Sequence, residues 1–168
     1  MICPVCGQLN LPGTEQCSNC LFDLMAIDRP LPADRVEGSL LVDRVSVLKP
    51  KLPVTVELDA TLGEAISKMI SQSVGALLVL GADGELLGIL TERDFLTKVA
   101  GSPDFAGQHV RDFMTANPET TALTDPLASA LAKMDGGGYR HLPIITAGKP
   151  AGVISVRDML RHLVHLCG

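Results

Sequence analysis

Residues Gly88-Ile89-Leu90-Thr91-Glu92-Arg93-Asp94 and, 64 positions on, Gly152-Val153-Ile154-Ser155-Val156-Arg157-Asp158 decide how this chain folds. Each is an apolar run that ends on a hydroxyl residue and gives way to charge, the pattern of a strand running into a helix. Upstream of them the correspondence continues at an offset of 65. Pro53, Thr55, Leu58, Leu62, Ala65, Lys68, Met69 and Leu77 fall on Pro118, Thr120, Leu123, Leu127, Ala130, Lys133, Met134 and Leu142. Self-similarity of this length marks two copies of one structural unit.

Each copy reads as strand, helix, strand, strand, helix. Val54 to Val56 is a short β-prone run, and Leu62, Ala65, Ile66, Met69 and Ile70 keep helical spacing, as do Leu127, Ala130, Leu131 and Met134. Thr61 and Asp125 stand where N-caps belong. Ala76 to Leu80 and Leu86 to Leu90 are apolar runs joined by Gly81-Ala82-Asp83-Gly84, a hairpin composition. The second copy uses Leu142 to Ile145, Ala147-Gly148 and Ala151 to Ile154. Gly136-Gly137-Gly138 reads as a flexible helix exit, since no helix follows it as a phosphate loop requires.

The paired pattern resembles two CBS domains, the cystathionine β-synthase type of module that occurs in tandem as a Bateman module. The resemblance covers roughly residues 40–166 and includes Asp112-Phe113-Met114-Thr115, Asn117-Pro118 and Tyr139-Arg140-His141-Leu142-Pro143. It implies an α+β fold in which two β-α-β-β-α repeats pack as a pseudo-symmetric pair. The expected division is a small zinc ribbon at 1–24, a linker at 25–44, repeat 1 at 45–103 and repeat 2 at 104–168.

In both copies a Thr or Ser closes a strand and opens a helix, with Asp three residues later. Helix starts expose amide donors that suit a phosphate, and an Asp beside them suits ribose hydroxyls. The resemblance implies the same use for Thr91, Asp94, Ser155 and Asp158. Arg140, His141 and Arg157 add cations, and Pro143 disturbs strand pairing beside the place where related modules hold adenine. The first copy has Val74, Gly75 and Ala76 there, with Leu78 in place of the Pro. Thr-x-x-Asp at such a junction is also a capping box that needs no ligand, so both readings stay open.

Four of the five cysteines form Cys3-x-x-Cys6 and Cys17-x-x-Cys20, ten residues apart. Two such turns close a tetrahedral thiolate shell that suits structural zinc. Iron in a rubredoxin-like centre is the alternative metal, although those knuckles carry Gly after the second Cys and Leu21 stands here. Disulfides are disfavoured by the reducing compartment expected below. Cys167 is assigned no role. His162 and His165 read as a solvated or dimer-facing helix end, and His109 has no recognisable partner.

The chain has 168 residues, 46% hydrophobic and 20% charged, with a net charge of −5. That balance and an aromatic content of 3% argue against a polyanion-binding face or a base-stacking platform. The first 28 residues hold Glu15, Asp23 and Asp28 and no Lys or Arg, so nucleic-acid contact by the ribbon is disfavoured as well. The longest apolar run, Val74 to Leu80, is far short of the roughly 20 residues that span a bilayer. Without a basic n-region no secretory signal is read, and the expectation is a cytoplasmic protein. The functional expectation is a non-catalytic sensor that binds an adenine nucleotide between the repeats, forms a homodimer and signals to a protein target. The alternative is a ligand-free dimerisation scaffold that docks a partner through the ribbon.

Overall fold

Thr61 and Glu64 begin the first repeat's long helix, α2 (Leu62–Gln72), by capping each other. The Glu64 N–H donates to the Thr61 hydroxyl, and the Thr61 N–H donates to the Glu64 carboxylate at 2.8 Å. Two helix-start donors are thereby satisfied. The computed structural model describes residues 2–3, 5–11, 13–22, 24, 34–99, 101 and 103–167. Among these, α1 (Arg35–Val42) precedes β1 (Thr55–Glu57), α2, β2 (Ala76–Leu80), β3 (Leu86–Thr91) and α3 (Glu92–Asp94). The second repeat follows as β4 (Thr115–Ala116), α4 (Leu127–Gly137), β5 (His141–Thr146), β6 (Lys149–Ser155) and α5 (Val156–Cys167).

β1 runs parallel to β2, and β2-β3-β4 continue antiparallel in a four-stranded sheet of order β1-β2-β3-β4. The last of those strands comes from the segment that leads into the second repeat. The favour is returned: Lys51, ahead of β1, bridges antiparallel to Val153 on the β5-β6 hairpin. Thr121 bridges parallel to Ile144, where β1 stands in the first copy. Each leading segment therefore lies on the edge of the other repeat's hairpin, which covers edges that would otherwise be unpaired. This close crossing selects glycine. A Cβ on Gly88 would meet the Met114 sulfur and lie 3.0 Å from the Thr115 carbonyl oxygen. One on Gly152 would lie 3.2 Å from the Lys51 carbonyl oxygen and from Pro50 Cβ.

The apolar periodicity of each copy closes its own core. Val56, Leu62, Ala65, Met69, Leu77, Val79 and Leu90 pack together in the first, and Leu127, Ala130, Met134, Leu142, Ile144 and Ile154 in the second. A third cluster joins the copies, with Val153 packed against Ala76, Leu78 and Ile89. Leucines such as Leu62 and Leu127, fully buried, each contribute about 1.5–3 kcal/mol.

Three local expectations change. Residues 34–44, expected as linker, contain α1, capped by Asp34 and packed on α4 and α5; its Leu40 joins the second core. Residues 25–33 of that linker lie outside the described residues. Asp125 is not the N-cap of α4, because Pro126 takes that place. The Asp125 carboxylate instead accepts from the Ala122 N–H and the Thr121 hydroxyl, both at 2.9 Å. The closing helix of the first copy is one turn of α3 followed by a π-turn at Phe95–Val99, whereas α5 runs for 12 residues.

Candidate functional site

Two matched turns build the N-terminal cluster. The Gly7 N–H donates to the Cys3 carbonyl at 2.9 Å, and the Leu21 N–H donates to the Cys17 carbonyl at 3.0 Å. Both turns need a left-handed residue after the second cysteine: Gly7 has φ 72° and Leu21 has φ 59°. The departure from glycine at position 21 thus changes the residue and not the backbone. The four Sγ atoms lie within 4.8 Å of one another, with 3.6 Å from Cys3 to Cys20 and 3.5 Å from Cys6 to Cys17. Zn–S bonds of about 2.3 Å require tetrahedral edges of roughly 3.8 Å, so the donors fit such an ion. All four are free cysteines.

The sulfurs are unequal. N–H groups of Cys20 and Asn19 and the Asn10 amide pull the Cys17 thiol down to about 6. At Cys20 the Phe22 N–H likewise pulls down, but burial and the sulfurs of Cys6, Cys3 and Cys17 push the thiol up to about 12. Buried Asn10 organises the second turn, accepting from the Ser18 N–H at 2.9 Å and hydroxyl at 3.0 Å and donating to Cys17 Sγ at 3.6 Å. It was invisible in the sequence, where a polar residue between Leu9 and Leu11 carries no signal.

The second feature is an open-mouthed cleft of about 120 Å³ between the repeats, smaller than the roughly 300–1,000 Å³ of most small-molecule pockets. Thr91, Arg93 and Asp94 line it from the first repeat, Thr115, Pro118 and Glu119 from the crossover, and Tyr139, Arg140 and His141 from the second. Gly138, in left-handed conformation with φ 64°, ends α4 and turns Tyr139 to His141 towards it. Gly136 and Gly137 of the expected flexible exit stay helical.

The hydroxyl–Asp pairs act as caps. Asp94 Oδ2 accepts from the Thr91 N–H at 2.8 Å and hydroxyl at 2.6 Å. Asp158 Oδ2 accepts from the Ser155 N–H at 2.9 Å and hydroxyl at 2.6 Å, and the Asp158 N–H donates to Ser155 Oγ at 3.3 Å. Asp94 Oδ1 meets Lys98 Nζ at 2.7 Å, and Asp158 Oδ1 meets Arg161 at 3.1 Å. Among the described residues neither Arg93 nor Arg140 forms an ion pair. Burial and the neighbouring Arg140 hold the His141 imidazole below its ordinary value of 6.5, against the opposing pull of Glu92 and Asp158. The imidazole is neutral at pH 7, and the cleft's free cations are guanidinium groups.

Thr91, Asp94, Arg140 and His141 come together in this cleft, while Pro143, Ser155, Arg157 and Asp158 do not line it. Ser155 lies directly across the β5-β6 hairpin from His141, as Thr91 lies across from Ala76. Pro143 is buried in strand β5, and its carbonyl accepts from the Thr121 N–H at 3.0 Å. Glu119 and Glu92 were missed. Glu119 falls on Val54 at the repeat offset, so the repeat carried no signal for it; nothing in the sequence marked Glu92 as a neighbour of His141. His162 and His109 both have partners: His162 Nε2 is 2.9 Å from Ser39 Oγ and 3.6 Å from Asp43, and His109 Nδ1 is 2.8 Å from the Asp59 carbonyl oxygen.

Comparison with known proteins agrees with this architecture. The CBS domain family profile matches residues 50–101 and 110–165. An uncharacterised 17.7 kDa protein of Acidianus ambivalens is 32% identical over 128 residues, 76% of this chain and 72% of that one. The chain spans only 22–23% of the length of several longer plant relatives. The crystal structure of a CBS-domain containing protein from Agrobacterium tumefaciens superposes with a TM-score of 0.65 at 34% identity, covering 70% of this chain and 94% of that one. A CBS domain protein from Pyrobaculum aerophilum, complexed with AMP, gives 0.63 at 27% identity, covering 73% and 98%.

Proposed function

The chain belongs to the CBS domain family, and from that premise we propose that it is a non-catalytic sensor whose inter-repeat cleft binds an adenine nucleotide. The observation that carries this reading is the convergence of Thr91 and Asp94 from one repeat with Arg140 and His141 from the other around one cleft. Arg93 and Arg140 supply planar donors for a phosphate, and the Asp94 carboxylate accepts from a ribose. Ser155, Arg157 and Asp158 form the pseudo-symmetric counterpart, which shares His141 and lies beside buried Pro143. The AMP bound by the Pyrobaculum aerophilum relative supports the choice of ligand.

The four-cysteine cluster holds structural zinc through Cys3, Cys6, Cys17 and Cys20, with iron as the other metal its thiolates accept. Closed tetrahedral coordination leaves no place for a reacting water, so the metal holds the fold of the knob, which docks the regulated protein. Exposed Ile70, Leu96, Leu160 and Val164 on the helices support a homodimer. No helix among the described residues is long and apolar enough to cross a membrane, and the proposed setting is the cytoplasm.

The caps favour one rival. Both Asp carboxylates are already satisfied within the chain, as a ligand-free dimerisation scaffold would have them. Titration calorimetry of the metal-loaded protein with AMP, ADP, ATP and S-adenosylmethionine separates the two. The sensor gives saturable heat with at least one of them, and silence throughout leaves the scaffold.

A further inference from the structure

We propose that Lys98 sets how tightly the cleft holds a nucleoside, because it occupies the carboxylate of Asp94 from inside the chain. The inference rests on the nucleotide reading above and names the residue that governs it. A ribose diol donates two O–H groups and is held best by a carboxylate with lone pairs free on both oxygens. Asp94 has few to offer. Its Oδ2 takes two hydrogen bonds from Thr91, and its Oδ1 takes the Lys98 ammonium at 2.7 Å, a charge-assisted contact.

Lys98 is anchored at a second point, donating to the Phe113 carbonyl at 2.7 Å. Phe113 lies two residues before Thr115, which starts β4 and lines the cleft. The ammonium therefore ties the Asp94 carboxylate to the crossover segment that forms one wall of the site. The Asp94 side chain is only 10% exposed and that of Lys98 41%, so water reaches this pair chiefly from the ammonium side. At the offset of 64 Lys98 falls on His162, so Asp158 has no matching lysine; it meets Arg161 at 3.1 Å, with 34% of the Asp158 and 62% of the Arg161 side chain exposed. Nucleoside entry at Asp94 exchanges the Lys98 contact for the diol and releases the Phe113 carbonyl, so Lys98 is an internal competitor for the ribose position.

The test is calorimetric titration of wild type, Lys98→Met and Lys98→Gln with adenosine, 2′,3′-dideoxyadenosine and AMP. Lys98→Gln keeps a donor for the Phe113 carbonyl should the Met variant fold poorly, and thermal melts confirm that each protein is folded. Adenosine is expected to bind about tenfold more tightly to the variants, the loss of one charge-assisted competitor. Dideoxyadenosine is expected to show no gain, and AMP a smaller gain than adenosine because a cation has gone from the site. Adenosine binding by the variants alone supports the same conclusion. Equal adenosine affinity in all three proteins, or an equal gain with dideoxyadenosine, overturns the role of Lys98 and leaves the nucleotide reading standing. Absence of AMP and adenosine binding in all three overturns the role of Lys98, and silence with ADP, ATP and S-adenosylmethionine as well overturns the nucleotide reading too.

Discussion

Leu21 pays a local conformational cost that a single substitution removes. Its φ of 59° is one that β-carbon sterics disfavour by about 1–2 kcal/mol, and its side chain is 72% exposed, so little burial is lost with it. Leu21→Gly relieves that strain at the expense of greater chain entropy in the unfolded knob. The expected net gain is about 0.5 kcal/mol, read as a roughly twofold tighter zinc affinity in a chelator competition. Weaker metal binding in that variant would show that Leu21 makes a contact worth more than its strain. His141 sets a second expectation. Its folded value lies below 6.5, so the unfolded chain binds more protons as pH falls past that point, and stability declines there. Urea melts at about pH 7.5 and about pH 6 should show this decline in wild type and a smaller one in His141→Gln. Equal declines would mean that His141 is not held neutral by the fold.

The elements reveal what periodicity could and could not convey. The helix α2, both hairpins and the core leucines follow from apolar spacing, because burial acts on side chains one or two turns apart. The exchange of leading segments was not legible, since Lys51 and Val153 are brought together by the pairing of whole repeats. Gly88 and Gly152 carried the hint, as matched residues inside strands where a side chain is normally wanted. Gly88→Ala should lower stability by about 1–3 kcal/mol, the usual cost of overpacking, because the Thr115 backbone cannot move aside. Gly152→Ala should cost less, with contacts at 3.2 Å. Equal and negligible effects in chemical denaturation would deny that the crossing is tight. α1 was missed because Pro30, Pro32 and Gly38 suggested a linker; what fixes this helix is tertiary, the buried Ser39 bonded to His162 of α5 at 2.9 Å and Leu40 packed into the second core.

At the scale of the whole molecule, one four-cysteine knob precedes two copies of one unit. The site was half legible. Thr91, Asp94, Arg140 and His141 were readable from motif and charge, and they converge. Pro143, Ser155, Arg157 and Asp158 do not line that cleft: Ser155 and Asp158 open the second repeat's own closing helix, as Thr91 and Asp94 open the first's. The net charge of −5 is compatible with an anion site since Lys98 and Lys133 stand beside Asp94 and Glu119 and leave Arg93 and Arg140 unopposed. Amide hydrogen exchange of the metal-loaded protein with and without AMP tests this most directly. Added protection is expected at residues 91–95 and 138–141 that grows with AMP and saturates; unchanged exchange at both segments, or protection confined to the N-terminal knob, would deny that the cleft binds the nucleotide.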